Sequence, residues 1–155
     1  MAKKIVIASD HGGYRLKQRI IAMLGKKKYS VQDMGTFSEE SCDYPLFGYA
    51  AAEKVSSGEA RRGIVICKSG IGMSIVANKL PGVRAGLCMT PRDAVSARKH
   101  NDTNVLVLGA SRVSKKGALA ITDTWLKTPA LKGRHARRVN QISDIEKKVF
   151  KKIRG

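Results

Sequence analysis

The sequence predicts an α/β protein with a three-layer α/β/α, Rossmann-like architecture and five parallel strands. Two observations predict it: apolar runs alternate with helical patterns along the whole chain, and the runs are nearly continuous in apolar residues. "KIVIAS" (4–9) reads as strand one. "YRLKQRIIAMLG" (14–25) follows as a helix, with Leu16, Ile20 and Leu24 on one face. "YSVQDMG" (29–35) is a weak second strand, and "YPLFGYAAAEKVSSGEA" (44–60) an alanine-rich helix with Pro45 in its first turn. "GIVIC" (63–67) is strand three, and "GMSIVANKL" (72–80) a helix stopped before Pro81-Gly82. "VRAGLCM" (83–89), "PRDAVSARKHN" (91–101) and "NVLVLG" (104–109) give strand four, a helix and strand five. "SKKGALAITDTWLK" (114–127) adds a helix, and a basic amphipathic helix from about Arg134 to residue 153 closes the chain. With the strands in the order 2-1-3-4-5, ligands collect beyond the carboxyl ends of strands one and three.

Composition narrows the class. At 155 residues, 43% hydrophobic and 27% charged, the chain suits one globular domain spanning 1–155 and is not disordered. Only five residues separate Lys4 from Asp10, too few for a signal-peptide core, and no later run reaches membrane-spanning length. Cys42, Cys67 and Cys88 lack CxxC spacing, which fits free thiols in a reducing cytosol. His11, His100 and His135 are equally scattered, so there is no local metal-ligand motif. The net charge of +18 favours anionic partners, from phosphorylated metabolites to nucleic acid, or simply marks a solvated basic surface. A nucleic-acid-binding module finds little support: no aromatic RNP-like strand, zinc knuckle or helix-turn-helix is present, and aromatics are 5%.

Two loops stand out, "SDHGG" after strand one and "CKSGIGMS" after strand three, and the fold brings them to one crevice. The second loop fits no phosphatase C-x5-R, nucleophile elbow, dinucleotide fingerprint or P-loop, because Met73, Val76 and Ile75 stand where those motifs need other residues. What remains is a glycine-rich turn at a helix start, whose N–H groups can face an anion with Ser69 and Ser74 as further donors. Cys67 beside it is either a buried strand end or a base. Asp10 is either a helix cap or a reactive carboxylate at the rim. "ARKHNDTNV" places His100 in the polar connection into strand five, read as a third rim loop. Arg134 and Arg138 of "GRHARRV" are i,i+4 and share one helix face, either solvated or gripping a phosphate.

Taken in order, "SDHGG", "DYP", "CKSGIGMSIVANK", "VRAGLC", "ARKHNDTNVLVLG" and "GRHARRV" closely resemble the ribose-5-phosphate isomerase B family, within the wider RpiB/LacAB sugar-phosphate isomerases. The likeness covers nearly the whole chain. It implies a cytoplasmic enzyme of the pentose phosphate pathway that interconverts ribose 5-phosphate and ribulose 5-phosphate without metal or cofactor. Allose 6-phosphate and galactose 6-phosphate are the alternative sugars. It also implies a homodimer whose sites sit at the subunit interface, the C-terminal helix reaching the partner.

Residue by residue, the resemblance makes Cys67 the base that moves a proton between C2 and C1. A related branch carries glutamate at the place of Met73. Ser69, Gly70, Gly72 and Ser74 would hold the developing enediolate oxygen, and Asp10 would shuttle protons between O1 and O2. His100 would assist ring opening, Asn101 would position the sugar, and Tyr44 would line the site. His11, Arg112, Arg134 and Arg138 would bind the phosphate, the last two from the other subunit. One residue departs from the family pattern: Lys68 stands where glycine is usual. If that backbone needs positive φ, the lysine adds strain of about 1 kcal/mol; otherwise its ammonium is free to face Cys67 or the substrate.

Overall fold

The computed structural model describes residues 4–155. Strands β1 (Lys4–Ser9), β2 (Ser30–Asp33), β3 (Arg62–Cys67), β4 (Ala85–Leu87) and β5 (Val105–Gly109) form one sheet, every neighbouring pair parallel. Helices α1 (Tyr14–Lys26), α2 (Tyr44–Ser56), α3 (Ile71–Ala77), α4 (Pro91–Asn101) and α5 (Lys115–Lys127) connect or follow them, and α6 (Arg134–Arg154) ends the chain. The predicted elements are all present, with β2, β4, α2 and α3 shorter than expected.

Alternation along the strands sorts the core into two. Ile5, Ile7, Ile64, Ile66, Leu106 and Leu108 point to one face, where Leu16, Ile20 and Leu24 of α1 and Ile121 and Trp125 of α5 meet them. Val6, Ala8, Val65, Cys67, Val105 and Val107 point to the other, against Ala51, Ala52 and Val55 of α2 and Met73 of α3. Each of the larger aliphatic side chains contributes about 1.5–3 kcal/mol by leaving water. The same alternation puts the Cys67 side chain on the α2/α3 side.

One expectation is corrected: the strand order is 2-1-3-5-4, not 2-1-3-4-5. A strand flanked on both sides must bury both faces, and all five residues of β5 are buried. β4 offers only Ala85, Gly86 and the exposed Leu87, so it takes the edge. The exchange leaves β1 beside β3 and keeps the crevice there. It also makes the β3–α3–β4 connection pass over the end of β5. Consequently Gly109, which ends β5, lies so close under the loop that a Cβ there would sit 2.5 Å from the Ser69 carbonyl oxygen.

Backbone is less able to move than a side-chain tip, so Gly109→Ala must displace the Cys67–Gly72 loop. We expect a stability loss of about 1–3 kcal/mol and a larger proportional fall in kcat, read by denaturant unfolding and turnover of the same preparation. Unchanged turnover would show that the loop position is not critical.

Connectivity fixes the direction of α4. Thr90 and Asp93 form a capping box that starts it above the carboxyl edge of the sheet, and Asp102, in the left-handed region at φ 45°, ends it before β5. His100 and Asn101 therefore lie at the amino edge. α6 starts beside them, with the Leu131 N–H donating to the Lys99 carbonyl at 3.0 Å. No α6 residue is buried, and Ile142, Ile145, Val149 and Ile153 leave an apolar stripe exposed. Among the described residues, no helix is long and apolar enough to cross a membrane.

Candidate active site

At the carboxyl edge the loops after β1 and β3 interlock. The Asp10 N–H donates to the Ile66 carbonyl at 3.2 Å, and a Cβ at Gly12 would touch both Asp10 Oδ1 and Lys68 Cβ at 3.4 Å. The buried Asp10 carboxylate accepts from the Gly13 N–H at 3.0 Å, so it does cap the following turn. Cys67 ends β3 at 5% exposure, and its Sγ receives the Gly70 N–H at 3.2 Å.

The positive-φ residue in this loop is Gly70, at φ 80°, which turns the chain into α3. Lys68 is not in that region, so the strain anticipated from its missing glycine does not arise. Its side chain is exposed, while its carbonyl is held by the Ser111 N–H and hydroxyl at 2.9 and 2.8 Å. Ser69 Oγ accepts from the Ile71 N–H at 3.2 Å, and the Ser74 hydroxyl is buried without a partner among the described residues. Met73 is fully buried in the α2/α3 core, where a carboxylate in its place would meet apolar neighbours.

The loop between β2 and α2 closes the crevice from the side. The Cys42 N–H donates to His11 Nδ1 at 3.2 Å, and Cys42 Sγ lies 3.9 Å from the same nitrogen. Two residues on, the Tyr44 ring packs on the start of α3, where a Cβ at Gly72 would be 2.6 Å from two ring carbons. Arg112 is exposed just past β5 and covers Gly109. The β2–α2 loop is anchored by Lys17, fully buried in α1, whose ammonium donates to Asp33 Oδ1 at 2.5 Å and the Thr36 carbonyl at 2.6 Å, beneath the Tyr14 and Phe37 rings.

The structure thus gathers Asp10, His11, Tyr44, Cys67, Ser69, Gly70, Gly72, Ser74 and Arg112 at one edge of the sheet. It does not bring His100 or Asn101 to them. That placement corrects the third rim loop: a segment entering a parallel strand lies at the amino edge, about 16 Å away across the five residues of β5. There the His100 and His135 rings stack with centroids 4.5 Å apart, beside Arg134 and Arg138. Desolvation, helped by His100 and the two arginines, holds the His135 pKa below its ordinary value. Cys42, Ser111, Lys17 and His135 are absent from the site that the sequence predicts. Of these only His135 leaves a sequence signal, as the imidazole inside the "GRHARRV" run that also holds Arg134 and Arg138.

A glycine-rich turn beside Cys67 at one edge and a histidine–arginine cluster at the other are set beside the likeness to known proteins. The sequence pattern of the family described as Ribose/Galactose Isomerase matches residues 5–142. The chain belongs to this family. Ribose-5-phosphate isomerase B of Escherichia coli is 44% identical over 146 residues, spanning 94% of this chain and 98% of that protein. The solved ribose-5-phosphate isomerase B of Clostridium thermocellum is 54% identical with a TM-score of 0.92, over 94% of this chain and 99% of that one. The isomerase B of Mycoplasma genitalium, solved with bound ribulose-5-phosphate, is 38% identical with a TM-score of 0.91, over 95% and 98%.

Proposed function

We propose that this member of the ribose/galactose isomerase family interconverts D-ribose 5-phosphate and D-ribulose 5-phosphate through a cis-enediolate. The observation that carries the reading is Cys67 Sγ at the end of β3, next to a turn of N–H donors and within the rim that holds Asp10. In the open-chain sugar the proton on C2 is weakly acidic, and removing it leaves negative charge on an oxygen. Cys67 as thiolate takes that proton and returns it to C1. The 69–74 turn stabilises the oxygen where the charge forms. Asp10 has Oδ1 committed to Gly13, which leaves Oδ2 to carry protons between O1 and O2.

The second part of the proposal is a homodimer with shared sites. One chain carries the base and anion turn at one edge, and His100, Asn101, Arg134 and Arg138 at the other. A two-fold pair places the carboxyl edge of each chain against the His100–Arg138 corner of its partner, making two equivalent sites. The α6 stripe runs on from Arg134 and Arg138 and is covered in the same contact. His100 then opens the furanose ring, Asn101 orients the sugar, and the arginines with His11 and Arg112 hold the phosphate so that C1 and C2 stay beside Cys67.

The test is a product assay with purified protein on ribose 5-phosphate, allose 6-phosphate and galactose 6-phosphate. We expect kcat/KM to favour ribose 5-phosphate. A preference for either six-carbon sugar overturns the substrate while keeping the reaction, and no turnover of any overturns the function.

A further inference from the structure

The amino edge of the sheet holds a second concentration of positive charge that neither half of the isomerase site uses. Arg61 and Arg62 at the start of β3, Arg98 of α4 and Lys127 at the end of α5 line a cavity of about 450 Å³. That size suits a small ligand. Asp102 is the one carboxylate on its wall, and Arg98 and Arg84 already share it, at 2.7 and 3.3 Å. Lys127 pairs with Asp123 at 2.7 Å, which also holds Lys27 at 2.8 Å. Among the described residues, neither Arg61 nor Arg62 meets a carboxylate.

The two inner guanidiniums are fixed, not loose. Arg98 is 4% exposed and donates to the Thr128, Thr103 and Asp102 oxygens at 3.1, 2.6 and 2.7 Å. Arg62 donates once, to the Thr103 carbonyl at 3.2 Å, which leaves most of its five N–H donors unspent. Both lie over the Trp125 ring, with the guanidinium carbons 5.1 and 5.9 Å from its centroid. Burial first, then Arg98 and Arg61, push the Arg62 pKa down to about 10 against the pull of Asp102. Arg98, Arg61 and Arg84 all lower it and Asp102 alone opposes them, so positive charge is in excess here.

We propose that this cavity is a binding site for a small oxyanion with two or more charges, a phosphate ester or a polycarboxylate, distinct from the catalytic crevice. Arg62 offers unspent planar donors, Arg98 adds a positive charge held beside it, and Arg61 and Lys127 at the rim supply attraction. Neither rim residue has a part in the isomerase mechanism.

Trp125 is the only tryptophan of the chain, so its fluorescence reports from beneath the two arginines. The experiment titrates the full-length protein at constant ionic strength with pyrophosphate, then with citrate, and follows that signal. The expected result is a saturable change with at least one of the two, its midpoint unmoved by Arg112→Ala at the catalytic rim. In Arg61→Ala/Lys127→Ala the midpoint rises about tenfold or more, since charge-assisted contacts are lost. Both side chains are exposed, and circular dichroism checks that the variant is folded. Response to pyrophosphate alone assigns a phosphate ligand, and response to citrate a polycarboxylate. A drift no different from potassium chloride, a midpoint that ignores the double variant, or one that shifts only in Arg112→Ala overturns the site.

Discussion

Cys67→Ala will lower kcat by ~10²–10⁴-fold, the usual contribution of a positioned general base, and leave KM nearly unchanged. The reasoning is local. Cys67 Sγ is the one group at the end of β3 able to take a carbon-bound proton beside the 69–74 turn, and the groups assigned to the phosphate are all elsewhere. The side chain is almost buried among Val65, Val107 and Met73, so alanine also removes some packing. A thermal unfolding measurement separates that effect, because a folded variant with native Tm and lost turnover isolates the chemistry. Cys67→Ser is the stricter probe: it keeps the shape and a hydrogen-bond acceptor for the Gly70 N–H but loses the accessible anion. Near-native turnover in either variant would remove Cys67 from the mechanism and direct attention to Asp10.

The element pattern is legible in the sequence because each strand states its faces. Ile5 and Ile7 alternate with Val6 and Ala8, which marks two buried sides from the residue order alone, and the packing follows that division. The order of β4 and β5 is not legible in the same way. Strands adjacent in sequence are usually adjacent in space, and both segments read as apolar. What decides is how much each can bury, and Ala85-Gly86-Leu87 has too little side chain for a central place.

The placement of the candidate site is legible where residue type and topology agree, as at Asp10 and Cys67, which both lie at the carboxyl edge. His100 joins them through the family resemblance alone, although its position just before a strand assigns it to the opposite edge. Lys17 cannot be found from sequence, since its partners Asp33 and Thr36 are 16 and 19 residues away and nothing local marks a buried amine. The positive φ suspected at Lys68 falls instead on Gly70, two positions later, where a residue without Cβ adopts it freely.

The two-edged distribution of site residues has its own test in subunit mixing. Arg138→Ala removes a charge-assisted hydrogen bond worth ~1.5–3 kcal/mol, so at substrate concentrations below the wild-type KM it is nearly silent, as is Cys67→Ala. Mixed and exchanged in equal amounts, the two should regain about a quarter of the wild-type rate: half of the dimers are hybrids, and one of the two sites in each hybrid unites a native Cys67 edge with a native Arg138 edge. A second mixture supplies the contrast. Arg112 lies on the same edge as Cys67, so every hybrid of Cys67→Ala with Arg112→Ala has one defect in each site and no native site at all. Rescue in the first mixture and none in the second is the signature of sites built from opposite edges of two chains. Rescue in neither, with exchange verified by mass spectrometry, would mean that Arg138 serves its own chain. Rescue in both would mean that Arg112 reaches across to the partner. The contrast depends on which edge of the sheet each residue occupies, and within a single chain the direction of α4 and the place of β5 already fix that.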